Sequence, residues 1–517
     1  MTTAASNARR ELSAVPGAYT RLADALRDAH LLGSTSGILS WDQETMMPPK
    51  GIDHRSRQFA LLARLQHQMS TSPTIGEWLA ECESDRDFME GGSIEAANVR
   101  EIRKDYDRER KLPGAHVAEF AEIVSKAQHV WIGARRDSDF AAFEPWLARL
   151  VGLSRERAAY FGIPKGGEAW DALADAYEPG CTAALVTRVF SPLRSRLVNL
   201  IAEIAAAKKR PANRFNELPL AVEAQERFVR MVVEAIGFDF SRGRMDTSTH
   251  PFCGGSHCSD TRLTTRYSPT CVNDALGSSM HEAGHGMYEQ GLDEASIGLP
   301  SGTAVSLGIH ESQSRLWENH VGRGRHFWQW CAPKLPEFFG KGCDGFSVDE
   351  LYGAANVVEP GFIRVDADEA TYNLHVMVRF ELERLLISGD LSTKDLPTEW
   401  NRRYKEYLGL TVPDDRRGCL QDVHWSMGSF GYFPTYTLGT LYSAQFFEAA
   451  EKALPGLDAG IAHGEFAPLR KWLNAAIHTH GRRYSSEELC TRVTGGPLCA
   501  DAFFRRLEGK LRPLYGL

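Results

Sequence analysis

The chain has 517 residues, 43% of them hydrophobic and 24% charged, with a formal net charge of −8. That balance belongs to a soluble globular protein, and its sign argues against nucleic acid as the main partner. The sequence contains no Gly-rich phosphate loop and no aromatic-basic repeat, and no stretch approaches the roughly 20 apolar residues of a membrane span.

The first residues, MTTAASNARRELSAVPGAYTRL, lack the apolar core of a secretion signal, and Glu11 follows the Arg9-Arg10 pair at once. A cytoplasmic location is expected. Ten scattered cysteines fit reduced thiols in such a compartment. Cys253, His257 and Cys258 lie close together, but no C-x-x-C pair elsewhere completes a tetrahedral metal site. This group reads as a loop with ordinary thiols.

Pro48-Pro49, Pro113-Gly114 and Pro179-Gly180 divide the first third of the chain into helical segments. In SPLRSRLVNLIAEIAAAKK, residues Leu193, Leu197, Leu200, Ile201 and Ile204 form one helical stripe. TRLTTRY, residues 261 to 267, is β-branched, short and flanked by turn formers, and predicts a strand. DALGSSMHEAGHGMYEQ predicts a helix with Asn273 as its N-cap and Gly291 as its stop. Leu276, Met280, Ala283 and Met287 fall on one stripe of that helix, with His281 and His285 adjacent on nearly the opposite side. Its glycines, Gly277, Gly284 and Gly286, each cost about 1 kcal/mol relative to alanine, so another backbone or a bound group is expected close by. In TYNLHVMVRFELERLLISG, residues Leu374, Val378, Leu382 and Leu385 repeat the helical pattern and end at Gly389. Without repeats, low-complexity tracts or long linkers, residues 1–517 are expected to form one mostly α-helical body with a small sheet beside the histidine helix. The helical segment to about residue 110 is expected to serve as a groove wall or lid.

HEAGH, residues 281 to 285, sets two imidazoles one turn apart with Glu282 between them, the HExxH arrangement of catalytic zinc sites. The extended HExxHxxGxxH pattern fails, because Tyr288 and Gly291 stand where its glycine and third histidine belong. The third ligand must come from elsewhere. Downstream, GIHESQSRLWENH offers Glu311 and Glu318, seven apart on one helix face, and periodicity does not choose between them.

HEAGH followed by HESQ resembles the carboxypeptidase Taq family of metallocarboxypeptidases. The family's other signatures follow the same resemblance: HPF (His250 to Phe252), DTRLT (Asp260 to Thr264), IRVDAD (Ile363 to Asp368) and GCLQDVHW (Gly418 to Trp425). LSWDQETMMPPKG, residues 39 to 51, also resembles the family's opening segment, so the likeness runs from near residue 20 to the C-terminus. The resemblance implies a gluzincin-type helical fold with a deep groove, and Glu311 as the third zinc ligand beside His281 and His285. It also implies broad release of C-terminal residues, poor release next to proline, and a homodimer.

Residue chemistry then distributes the remaining roles. Zinc with three protein ligands leaves a position for water, and cobalt is a possible substitute. Glu282 is expected to be the general base. Arg364 is the first choice to pair with the free C-terminal carboxylate of a peptide, standing before a helix expected to start near Asp366 to Asp368. Composition alone favours the alternative for Arg364, a structural ion pair with Asp366 or Asp368; the resemblance of its IRVDAD motif is what implies the anchor. Arg262, in the strand before the histidine helix, is the rival anchor. The resemblance implies that the HPF and DxRxT segments, including His250, shape the substrate end of the groove. His424, with Tyr432 or Tyr436, is expected to stabilise the oxyanion, and Gln421 and Trp425 to line or support the site. An oligopeptidase cutting internal bonds, or a zinc-containing peptide-binding protein without catalysis, would share the same metal core.

Overall fold

Apolar spacing turns most of the chain into helix. The computed structural model describes residues 15–248 and 250–517, so the leader reading of the first residues lies outside the described part. Near the N-terminus, α1 (Gly17–Thr45) and α2 (Ile52–Ser70) form a packed pair broken at the Pro48-Pro49 step, followed by α3 (Pro73–Ser84) and α4 (Ile94–Glu109). Next come α5 (Gly114–Asp137), which starts directly after Pro113, α6 (Phe140–Phe161) and α7 (Ala183–Ala206). The predicted stripe of α7 is buried: Leu193, Leu197, Leu200, Ile201 and Ile204 all face the core.

After α8 (Val222–Ile236) the chain makes its one sheet among the described residues, β1 (Gly243–Thr247), β2 (Cys253–His257) and β3 (Asp260–Thr265). The strand expected at 261 to 267 is β3, the central one, parallel to β1 and antiparallel to β2. It feeds α9 (Val272–Gln290), which carries HEAGH. Then follow α10 (Leu307–Arg315), α11 (Tyr372–Ser388) and α12 (Pro434–Ala453). α11 ends where Gly389, at φ 96°, supplies the left-handed C-cap.

Buried side chains form two clusters. The larger extends from Ala127 to Tyr515 and includes the apolar stripe of α9. The smaller joins Ala18, Leu22, Leu79, Val99, Ile102 and their neighbours in α1, α3 and α4, closed by Leu299. The N-terminal helices therefore bring their own core. They meet the body partly through α1, which crosses β2 so closely that a Cβ at Gly37 would stand 2.3 Å from the Gly255 carbonyl oxygen. Among the described residues lining the central cleft, the first in chain order is His250.

Candidate active site

Three crossing helices build one side of a cleft of about 530 Å³. α9 begins at Val272 behind Cys271, two residues earlier than predicted; Asn273 does not cap it and donates instead to Asn216 Oδ1 at 2.7 Å. Its stripe of Leu276, Met280, Ala283 and Met287 is buried, and His281 and His285 face the cleft. α10 crosses α9 at Gly284, where a Cβ would lie 2.6 Å from both the Gln313 carbonyl oxygen and the Ser314 Cα. That close approach offsets the helix penalty of this glycine. Gly277 is different: a Cβ there meets nothing within 4 Å, and the residue lines the open cleft. α12 packs along α10, and a Cβ at Gly439 would stand 2.5 Å from the Glu311 Cβ.

These crossings bring Glu311 onto the histidines. Glu311 Oε2 lies 3.5 Å from His281 Nε2 and 3.4 Å from His285 Nε2. Two ligands about 2.0–2.1 Å from one ion at tetrahedral angles are about 3.3–3.4 Å apart. The three side chains thus fit a metal, and they form the one such cluster of His, Cys, Asp or Glu among the described residues. Cys253, His257 and Cys258 form none.

Glu318, the other carboxylate of this segment, does a different job. Residues Leu316–Gly322 continue α10 as a wider π-helical turn. From it Glu318 Oε2 accepts from His281 Nδ1 at 2.9 Å. An Nδ1–H donated there leaves the Nε2 lone pair free to face a cation. Arg315 donates to Glu311 at 2.7 Å and to Glu318 at 3.1 Å. Burial alone would raise the Glu311 carboxyl, but Arg315 and His281 outweigh it and hold the group well below the usual carboxylate range. His285 stacks on His310, ring centroids 4.4 Å apart, and His310 in turn meets Glu289 at 2.7 Å. Glu282 lines the cleft, and burial pushes its carboxyl up to about 7.

The facing wall is irregular backbone. Arg364 is 5% exposed and lines the cleft from a short 3-10 turn, Arg364–Asp366. The helix expected at Asp366 to Asp368 starts later, at Tyr372, after Asp368 has accepted from the backbone N–H groups of Ala370 and Thr371. Nor is the counter-ion of Arg364 one of those two aspartates. Asp366 pairs with Arg266 at 3.0 Å, whereas Arg364 Nε donates to Asp422 at 3.0 Å. Asp422 also binds the fully buried Arg379 at 2.6 Å. Two cations outweigh the effect of burial and hold the Asp422 carboxyl far below its ordinary range. Arg364 also donates to the Tyr372 hydroxyl at 2.9 Å.

Gln421 does not line the cleft. Its Oε1 accepts from the Arg364 backbone N–H at 2.9 Å and its Nε2 donates to the Phe362 carbonyl at 3.0 Å, so it clamps the Arg364 turn from behind. Arg262 lies outside the cleft lining as well, paired with Asp260 at 2.9 Å beside the Trp41 ring. Its neighbour Thr264 accepts from the Phe252 N–H at 2.9 Å and fixes the HPF turn. That turn puts the exposed His250 at the cleft.

Tyr432 and Tyr436 line the cleft, and His424 sits behind them with Nε2 3.1 Å from the Tyr436 hydroxyl. Burial, then Arg364, lowers the His424 imidazole to about 3, so it is neutral near pH 7. Trp425 donates to Glu383 at 3.0 Å, together with Trp170 at 3.1 Å and the Gly431 N–H at 3.0 Å. Sequence reasoning missed Tyr372, Arg315, Asp422 and Glu383. Arg315 carried a signal, standing four residues after Glu311; Asp422 and Glu383 meet their partners across long stretches of chain, and Tyr372 meets Arg364 across an irregular turn of eight residues.

An HExxH helix crossed by a glutamate-bearing helix, inside a mostly helical body, defines a metallopeptidase. A family model for the carboxypeptidase Taq (M32) metallopeptidases matches residues 21–511. The chain is 44% identical over 506 residues to thermostable carboxypeptidase 1 of Thermus thermophilus, covering 96% of this chain and 99% of that protein. It is 34% identical over 492 residues to carboxypeptidase 1 of Bacillus subtilis, covering 95% and 97%. The crystal structure of an M32 carboxypeptidase from Deinococcus radiodurans superposes with a TM-score of 0.92 at 39% identity, over 97% of this chain and 100% of that one. The protein belongs to the carboxypeptidase Taq (M32) metallopeptidase family.

Proposed function

We propose that the protein is a zinc carboxypeptidase that releases single residues from the C-termini of peptides, with broad specificity. The supporting observation is one cleft that contains both the His281–His285–Glu311 cluster and the buried cation of Arg364. Two imidazole nitrogens and one carboxylate suit zinc, and cobalt can substitute. When bound, the ion supplies Lewis acidity, which polarises the scissile carbonyl and acidifies water.

The chain's own groups do the rest. Arg364 pairs with the substrate carboxylate while Asp422 and Gln421 keep it aimed. His250 borders the same groove. Glu282 takes the proton of the attacking water and delivers it to the leaving amine. Tyr432 and Tyr436 donate toward the oxyanion, and His424 orients Tyr436. No helix among the described residues is long and apolar enough to cross a membrane; a cytoplasmic homodimer acting on peptides completes the reading.

Mass spectrometry of peptide digests over time tests it. A ladder losing one C-terminal residue per step is expected, with C-terminally amidated peptides resistant. Internal fragments, or amidated peptides cut as fast as free acids, would replace the carboxypeptidase reading with an oligopeptidase one.

A further inference from the structure

A second cavity, of about 320 Å³, lies where the N-terminal helices meet the body. Ligand sites favour such seams between packed units. Its walls come from α2 (His67), α4 (Arg108, Glu109), α6 (Arg157) and the loop joining His424 to Tyr432 (Gly428, Phe430). The charges inside it do not balance locally. Arg108 pairs with Asp105 at 3.0 Å and Asp175 at 3.6 Å, and Glu109 stands 4.0 Å from His67. Arg157 has no carboxylate within ion-pair distance among the described residues, and its Nε is buried without a hydrogen-bond partner.

The guanidinium rests on the Phe120 ring, 3.7 Å from its centroid. A cation–π contact offsets part of the desolvation but satisfies none of the five N–H donors. Burial accordingly weakens this cation's hold on its proton. Arg157 is half-buried, and Glu109 in the same cavity acts on it from beyond ion-pair distance, so a carboxylate entering the cavity meets an unpaired cation. The rest of the lining is apolar, including Leu112, Phe161 and Phe430.

We infer that this cavity binds a small carboxylic acid with an apolar body, of the free α-amino acid class, its carboxylate on Arg157 and its ammonium toward Glu109. The cavity is also coupled to the catalytic wall. Gly428, at φ 67°, lies so close to Phe120 that a Cβ there would be 2.4 Å from the ring. On the other side the Tyr177 ring, which lines the cavity, makes an edge contact with Tyr432 at 5.2 Å. A ligand wedged between Arg157 and Phe430 therefore bears on the loop that carries His424 and Tyr432.

Thermal-shift titration and hydrogen exchange of the intact protein test the site with leucine, 4-methylpentanoate and leucinamide. At about 10 mM, roughly ten times the ~1 mM dissociation constant of so small a ligand, leucine should give a saturable stabilisation. 4-Methylpentanoate should bind more weakly, leucinamide should not bind, and leucine should protect amides of residues 424–432. Arg157→Gln should weaken the leucine response at least about tenfold, the weight of one charge-assisted hydrogen bond, without lowering the melting temperature of the ligand-free protein. Leucine that also enters the catalytic cleft gives a component unchanged in this variant, so the difference reports the second cavity. Binding is read without turnover and stands apart from the peptidase reading. An equal leucine response in wild type and Arg157→Gln, or leucinamide acting like leucine, would overturn the site. So would a variant that melts well below wild type without ligand, because Arg157 would then be a structural cation.

Discussion

The two walls of the catalytic cleft are made in opposite ways. One is helical: α9 and α10 cross at Gly284, and the histidines and carboxylates of the metal cluster and its support lie within 38 positions of chain, from His281 to Glu318. The other is mostly loop and short turn up to the start of α12, and its members are held by each other: Arg364 by Asp422, 58 residues away, and His424 by Tyr436. Helices fix ligand direction through backbone geometry, so few contacts are needed. The loop wall has no such frame, and buried ion pairs replace it: Asp422 is shared by Arg364 and Arg379. Removing one partner from such a network leaves a buried charge uncompensated, which is costlier than losing a surface pair.

Substitutions on each side sharpen this contrast. The largest effect belongs to Glu282 on the helical wall. Glu282→Gln should lower kcat by about 10³- to 10⁴-fold, the scale of general acid–base catalysis, while metal content by elemental analysis stays at wild-type level. Unchanged turnover would remove Glu282 from its role. On the loop wall, Arg364→Met should reduce kcat/KM on free-acid peptides by about 100-fold, the weight of a charge-assisted pair. Asp422 retains Arg379, so circular dichroism should still report a folded protein; a loss of fold together with activity would make Arg364 structural.

Next in size is Glu318. Glu318→Gln should weaken metal binding by about 10- to 100-fold in a chelator competition, as loss of a partner behind a metal-bound histidine does. An unaltered affinity would mean that the wide turn does not orient His281. The smallest effect concerns stability. Burial pushes Glu383 up to about 7, above the roughly 4.3 of an unfolded glutamate. The folded state therefore holds its proton more tightly. Stability from this group is full below pH 4 to 5 and is lost as pH rises toward 7, by up to about 3 kcal/mol. Denaturant titrations of wild type and Glu383→Gln at pH 5 and pH 8 should show a smaller pH dependence in the variant. Identical slopes would show that Glu383 keeps one charge state throughout.

The same contrast explains what could be read from sequence. His281, His285 and Glu282 were legible because helical spacing is a property of neighbouring residues. The stripe of α7, strand β3 and the Gly389 stop were legible for that reason too. Between Glu311 and Glu318 periodicity was silent, since both sit on one face and only the crossing angle with α9 tells them apart. Asn273 was expected to cap α9, but its amide meets Asn216, 57 residues earlier in the chain, and local capping rules hold no trace of that partner. The alternative for Arg364 paired it with the nearest aspartates, whereas its counter-ion stands 58 residues away. Sequence proximity ranks charge pairs poorly when the backbone between them is irregular. Arg262, the rival anchor, shows a related limit: a strand position allows two faces, and this side chain meets Asp260 and Trp41 and is not among the cleft-lining residues.

The wide turn at Leu316–Gly322 has a consequence for protein engineering. Transplanting HExxH and a distant glutamate onto a regular helical bundle would copy the three ligands but set position 318 at a different rotation about its axis. The imidazole of the first histidine would then be free to spin or to choose its other tautomer. A graft of this centre should therefore carry the irregular turn with it, and deleting a single residue there should act as a twist of the helix rather than a shortening.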